Sequence, residues 1–243
     1  MTSVARYIFG LLSLAFTSSE AIAWEFGPLA SYAAADKSLS VNGRLVNLKS
    51  GGVGLSLAED FISGHVQVDA AALYGYSGSA SATFSGAAVS GPAKLTTTRV
   101  GATIYWKPQS RATPFVRVAD VRRSGDTVFT GSRNGALVAG AADLKFNQSE
   151  LSIGLRLNAS DTLSFFAESG RNDWRLTSDA SGTVGALNAR TQIESAHSDP
   201  FVRFGANVKW KEWRGLLTFG EFRMTADNQT KTRSVDIALM YAF

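Results

Sequence analysis

The chain has 243 residues, room for one large domain or two small ones, with 45% hydrophobic residues, 18% charged residues and a formal net charge of +4. A mean hydropathy of +0.01 fits neither a disordered chain nor a helical membrane protein, and the charged fraction lies below the roughly 25% usual for a soluble domain. Lys and Arg are dispersed with no basic block interleaved with aromatics, which argues against nucleic acid as a partner, and the absence of Cys excludes disulfides, thiolate metal sites, a catalytic Cys and an acylated lipoprotein terminus.

Residues 1–23 read as a cleaved secretory signal peptide. Arg6 supplies the positive start, Tyr7 to Phe16 an apolar run, and Ala21-Ile22-Ala23 a small-x-small cleavage site before Trp24. The run is shorter than the ~20 apolar residues of a spanning helix. Residues 24–243 then form one exported domain with no spanning-helix stretch, so entry into a membrane requires a closed barrel, because lipid cannot satisfy an open sheet edge.

The body carries an internal repeat of apolar, Gly or Ala, apolar, variable, apolar. Val53-Gly54-Leu55-Ser56-Leu57 recurs as Val100-Gly101-Ala102-Thr103-Ile104, Ile153-Gly154-Leu155-Arg156-Leu157 and Phe204-Gly205-Ala206-Asn207-Val208. The final copy is Ile237-Ala238-Leu239-Met240-Tyr241. A period of two is the period of a strand. Each unit reads as one hairpin with the repeat on its second strand. Short turns follow the first four copies, at 58–60, 107–111, 158–161 and 211–212, and longer Gly/Ser/Asn/Asp-rich loops are predicted at 36–43, 78–94, 124–145, 173–196 and 226–231.

The pattern gives an all-β chain of about ten antiparallel strands, near 26–36, 44–57, 61–77, 95–106, 113–123, 146–157, 161–172, 197–210, 213–225 and 232–243. Eight or twelve strands stay open, because 24–50 and 173–196 are the least patterned stretches. Trp24, Trp106, Trp210 and Trp213 fall at one set of strand ends and Trp174 at the other, the sorting expected of rings at two membrane interfaces.

The chain ends on alternating Val235, Ile237, Leu239, Tyr241 and Phe243. This segment resembles the C-terminal assembly signal of Gram-negative outer-membrane β-barrels, and the chain as a whole resembles the small porin/opacity-type barrels. The resemblance implies a single antiparallel transmembrane barrel in the cell outer membrane, with short turns periplasmic and longer loops outside. Its implied partners are the barrel-assembly machinery, which reads the terminal segment, and outer-membrane lipids including lipopolysaccharide.

Taking Val235, Ile237, Leu239 and Tyr241 as lipid-facing puts Val53, Leu55, Val100, Leu151, Ile153, Val202 and Phe204 outward, and Val66, Val68, Ala70, Ala72 and Tyr74 on the third strand. His65, Gln67 and Asp69 then face inward. The fifth strand reads either way, Val116 and Val118 implying one facing, Phe115, Ala119 and Val121 the other. A lumen-facing polar network of Arg99, Glu150, Arg156, Glu168, Arg203, Glu221, Arg223 and Asp236 is expected, with Lys209 nearby, as a plug or as the lining of a narrow pore.

Evidence for catalysis is thin. His197 with Ser195 and Ser198 at the outer rim invites comparison with outer-membrane lipid hydrolases such as lipid A deacylases, but neighbours in sequence alternate faces on a strand. No metal or cofactor motif is present. The functional expectation is a structural surface protein or narrow porin, the alternatives being a lipid-modifying enzyme at the rim or an adhesin acting through 124–145 and 173–196.

Overall fold

A computed structural model describes residues 24–61 and 64–243. The expected signal peptide, 1–23, lies outside the described residues. Eleven strands are present among them: β1 (Trp24–Ala35), β2 (Leu39–Val41), β3 (Arg44–Phe61), β4 (Val66–Phe84), β5 (Ala87–Tyr105), β6 (Ala112–Arg133), β7 (Ala136–Asn158), β8 (Leu163–Val184), β9 (Leu187–Trp210), β10 (Trp213–Thr225) and β11 (Gln229–Ala242).

All but β2 make one antiparallel wall, each strand pairing with the next. The wall closes because β1 pairs on one side with β3, from Trp24↔Glu59 to Ala34↔Lys49, and on the other with β11, from Glu25↔Ala242 to Ala35↔Thr232. The fold is thus a closed ten-stranded barrel, and closure removes the unpaired edges a sheet cannot expose to lipid. β3 runs on through Ala58, Glu59 and Asp60 to Phe61, where a turn was predicted.

Alternation sorts the side chains. Val53, Leu55, Leu151, Ile153, Val202, Phe204, Ile237 and Leu239 point outward and are each about half exposed or more. They form an apolar belt nearer the end that carries Trp24 and Phe243, here the inner end. Trp106, Trp210 and Trp213 edge that belt, all exposed. Towards the outer end the outward face turns polar on every long strand: Thr96 and Lys94 on β5, Asn147 and Lys145 on β7, Arg171 and Asp173 on β8, Glu194 and Gln192 on β9 are all exposed.

The outer end departs from the sequence expectation. Residues 78–94, 124–145 and 173–196 are the paired outer halves of strands, not loops. β6 to β9 are 22–24 residues long, more than twice the ~9–11 needed to cross a bilayer. Their outward residues are mostly polar and their inward ones mostly apolar, a composition that imitates a loop. Asn134-Gly135 joins β6 to β7 with φ of 51° and 81°, and Ser85-Gly86 joins β4 to β5 with φ of 48° and 76°. Both are two-residue turns whose positive φ values match the right-handed twist of the flanking strands.

The outer half also has fewer paired strands. β10 pairs with β9 only as far as Phe222↔Phe201, so residues 187–200 of β9 pair with β8 alone. β2 stands in the gap, paired with β3 at Leu39↔Val46 and Val41↔Arg44. Asp227 in the β10–β11 turn accepts the Gly43 N–H at 2.6 Å, Asn228 Oδ1 accepts the Ser40 N–H at 2.7 Å, and the Arg44 guanidinium donates to the Gln192 carbonyl across the gap at 2.6 Å.

Inside this outer half lies an apolar core of Leu39, Val41, Val46, Leu95, Leu144, Phe146, Trp174, Leu176 and Ile193. Nearer the tips a second core gathers Phe84, Val89, Phe129 and Val138, with the Phe84 and Phe129 rings 5.0 Å apart. Trp174 corrects its sequence reading: it is 2% exposed inside the barrel, not an interface anchor, and its indole N–H donates to Asp199 at 2.8 Å. Period two puts it on the face of Asn172 and Leu176.

Candidate functional site

The chemistry-bearing side chains converge in the lumen at the level of the apolar belt. The ambiguity of the fifth predicted strand, β6 here, resolves with Phe115, Ala119 and Val121 buried inside and Val116 exposed outside. Arg117 and Arg123 share the inward parity, and this face was hidden while the strand could be read either way.

Three groups of charges fill the lumen. Arg117 grips Asp69 with two hydrogen bonds of 2.7 and 2.9 Å, and Arg99 joins Asp69 at 3.7 Å to Asp236 at 3.4 Å. Arg203 bridges Glu150 at 2.8 Å and Glu168, while Ser152 donates to Glu168 at 2.8 Å and Gln148 to Glu150 at 2.6 Å. Nearest the inner end, Arg214 pairs with Glu25 at 2.8 Å. The planar guanidinium fork matches a carboxylate with two parallel bonds, which is why Arg rather than Lys populates these sites. Burial makes each pair costly to break, because a lost partner leaves a charge the lumen cannot solvate.

Glycine makes room for this filling. A Cβ on Gly101 would collide with the Arg117 guanidinium, on Gly154 with the Phe115 ring and on Gly205 with the Phe166 ring. What space remains is divided. A cavity of about 110 Å³ lies among Gln67, Tyr105, Arg117, Arg156 and Arg214, and one of about 70 Å³ lies among Ser31, Ser50, Arg99, Arg123 and Asp236.

Of the residues read from sequence as a lumen network, Arg99, Glu150, Glu168, Arg203 and Asp236 are in these ion pairs. Arg156 faces the same lumen but stacks on the Tyr105 ring at 4.2 Å and donates to the Pro108 carbonyl at 3.1 Å. Glu221 and Arg223 do not belong to the lumen. They share the outward face of β10 with Phe219, whose ring stacks on outward-facing Phe204, and Glu221 pairs with Lys231 and Arg233 at 3.4 Å each. Phe222 and Met224 take the inward positions instead, lining the lumen cavities. Lys209 is exposed at the inner end, and His65 is exposed in the β3–β4 turn, its Nδ1 3.2 Å from the Tyr105 carbonyl oxygen. The members missed in sequence, Arg117, Arg123 and the Glu25–Arg214 pair, all carry the inward parity of their strands.

His197, Ser195 and Ser198 are not assembled into a nucleophilic site. Ser195 is buried inside, whereas Ser198 contacts Asp173 and Arg171 on the outer face. The His197 ring packs against Trp174 at 5.4 Å. Among the described residues no hydrogen bond joins His197 to either serine, and no cluster of three His, Asp or Glu side chains could hold a metal ion. At the chain end, the Tyr241 ring meets Trp213 at 5.1 Å and Phe243 at 5.3 Å, and Phe243 is 77% exposed.

No family model matches the chain. No curated protein matches it either. Among solved structures, it is similar to the translocator domain of the autotransporter NalP from Neisseria meningitidis, with a TM-score of 0.54 at 11% identity, covering 98% of this chain and 94% of that one. The beta domain of the Bordetella autotransporter BrkA gives 0.42 at 14% identity, covering 90% and 99%. The outer membrane protein AlkL gives 0.33 at 14% identity, covering 93% and 94%. At such identities the likeness to the NalP domain is one of fold: this chain has the architecture of an outer-membrane β-barrel.

Proposed function

We propose that this chain is a non-conducting, non-enzymatic barrel of the Gram-negative outer membrane that holds a rigid β-structured extension above the cell surface. The observation that carries this reading is the filled lumen. Paired Arg and carboxylate side chains occupy it at belt level, and the residual spaces there, of about 110 and 70 Å³, are separate cavities rather than a continuous solute path. That argues against a narrow porin. The separation of His197 from Ser198 and the burial of Ser195 argue against a rim lipid hydrolase.

In this reading residues 1–23 are removed after export, the terminal Val235–Phe243 segment is offered to the assembly machinery, and the belt is covered by lipid with lipopolysaccharide at its outer border. The extension takes over the role that sequence alone assigned to loops at 124–145 and 173–196, so any adhesive contact would be made by a stiff sheet with mixed charge.

Two measurements test the proposal together. An epitope inserted between Asn134 and Gly135 should be labelled on intact cells, and the purified protein should give no stepwise current in planar bilayers. A tag reached only after lysis would refute the orientation, and reproducible channel steps would refute the plug.

A further inference from the structure

Above the ion-pair plug lies a chamber whose character differs from the rest of the lumen. It measures about 100 Å³ and is lined by Leu39, Val46, Leu95, Leu144, Leu176 and Met224, among others. A second apolar cavity of about 60 Å³ shares Val46 and Leu144 as walls. An apolar cavity of about 150 Å³ holds a benzene molecule; the chamber gains comparable room, for a single ring or a short alkyl chain, when Val46 and Leu144 move aside to join it to the second cavity.

The chamber floor is polar, and its polar groups are poorly matched. Arg123 is the one charged residue lining the chamber. Among the described residues it has no carboxylate within ion-pair distance; its contacts are Gln148 Oε1 at 3.4 Å and the Phe146 ring at 5.4 Å. Of the other lumen arginines, Arg99, Arg117, Arg203 and Arg214 each hold a carboxylate, and Arg156 stacks on the Tyr105 ring and donates to the Pro108 carbonyl. Asn172 of β8 lines the same chamber, four residues nearer the belt than Leu176, which lies across β7 from Arg123; it is 1% exposed and its side-chain oxygen has no hydrogen-bond partner. An amide can be turned about its last torsion to present N–H instead. The unpartnered Asn172 oxygen at the foot of a greasy chamber costs free energy as it stands, and Arg123 beside the same space is held only by a neutral amide and a ring.

We infer that this chamber binds a small monocarboxylate with an apolar body, its carboxylate on Arg123 and Asn172 and its ring or alkyl chain among Leu95, Leu144, Leu176 and Met224. The charge-assisted bond would satisfy Arg123, and the body would fill space that water occupies poorly. A neutral hydrocarbon of the same size gains only the second of these terms. This site goes beyond the role proposed above and does not depend on it, since a plugged barrel and a conducting one could each carry it.

The test uses the full-length mature protein in lipid nanodiscs, with hexanoate and benzoate as probes, 1-hexanol and benzyl alcohol as neutral counterparts, and empty nanodiscs as the partition control. Ligand-observed NMR titration should give saturable carboxylate binding above that control. Arg123→Gln should weaken carboxylate binding at least about tenfold while leaving the alcohols within about twofold, because only the charge-assisted contact is lost. Arg123→Lys should retain most of the carboxylate preference, and Leu144→Trp, which fills the chamber, should abolish saturable binding of both probe types. Each variant is first required to keep the heat-shifted gel mobility of a folded barrel. No saturable binding to the wild type would overturn the site, as would carboxylate affinity unchanged by Arg123→Gln or by Leu144→Trp.

Discussion

At the scale of single residues, Arg203 is the most informative position. It alone joins Glu150 and Glu168, whose side chains are 4% and 1% exposed. Arg203→Ala would leave two buried carboxylates without their ion-pair partner, and breaking a buried pair in this way costs about 3–5 kcal/mol. Replacing all three with apolar side chains of similar volume should cost far less, because no charge is stranded. Urea unfolding of the wild type, Arg203→Ala and the triple variant in detergent should rank the single substitution lowest; equal stability of all three would mean that the pairs are solvated. Outside the membrane, Asp36 offers a pH test. The Lys231 backbone N–H at 2.9 Å and the Thr230 hydroxyl at 2.7 Å donate to its carboxylate and hold its pKa below the ordinary 3.8. A depressed carboxylate stabilises the fold above its ordinary pKa, and that contribution is lost as pH falls through the lowered value. The Lys231 amide resonance should therefore titrate with a midpoint below 3.8 and stop titrating in Asp36→Asn. A midpoint at or above 3.8 would show that the hydrogen bonds do not form in solution.

At the scale of strands, height on the wall matters as much as facing. Leu239 and Asn147 both point outward, but Leu239 lies in the apolar belt and Asn147 on the polar stretch of β7 above it. Leu239→Arg should cost about 2–4 kcal/mol if it lies near the bilayer midplane, whereas Asn147→Arg should stay within about 0.5 kcal/mol. Reversible unfolding in lipid vesicles would measure both, and equal costs would place the belt wrongly. Strand number and the facing of Val53, Ile153, Phe204 and Leu239 could be read from the chain because lipid demands an unbroken apolar face, and alternation transmits that demand along the strand. Two features could not. The outer halves of β6 to β9 were read as loops because water on one face removes the apolar signal while the turn chemistry of Asn134-Gly135 stays confined to two residues. Glu221 and Arg223 were read as inward because a charge on a membrane strand suggests a lumen. They sit instead at the end of β10, where the outward face has left the belt and can pair with Lys231 and Arg233. The facing of Arg123, and with it the floor of the apolar chamber, stayed hidden behind the even distribution of apolar residues over both faces of β6.

At the scale of the whole molecule, closure and extension are separable. The wall is sealed where β1 lies between β3 and β11, all within the inner part of the barrel. The hairpin tip beyond Thr127↔Ala142 rises above that ring, where it packs Phe129 and Val138 against Phe84 and pairs with the ends of β5 and β8, as at Val89↔Gly131 and Val138↔Val184. Removing 128–133 and 136–141, so that Thr127 and Ala142 are joined through the native Asn134-Gly135 turn, preserves the register of the paired strands below and the I′-type turn they need. Removing 235–243 instead unpairs β1 and β10 and opens the wall along a full edge that lipid cannot satisfy. The tip deletion should fold and keep its mobility shift on boiling, losing stability through the exposed Phe84 layer and the unpaired ends of β5 and β8. The terminal deletion should show no shift and should aggregate. If the tip deletion also fails to shift, the upper sheet is part of the cooperative unit, and the separation drawn here between a lipid-sealed ring and a water-borne extension does not hold.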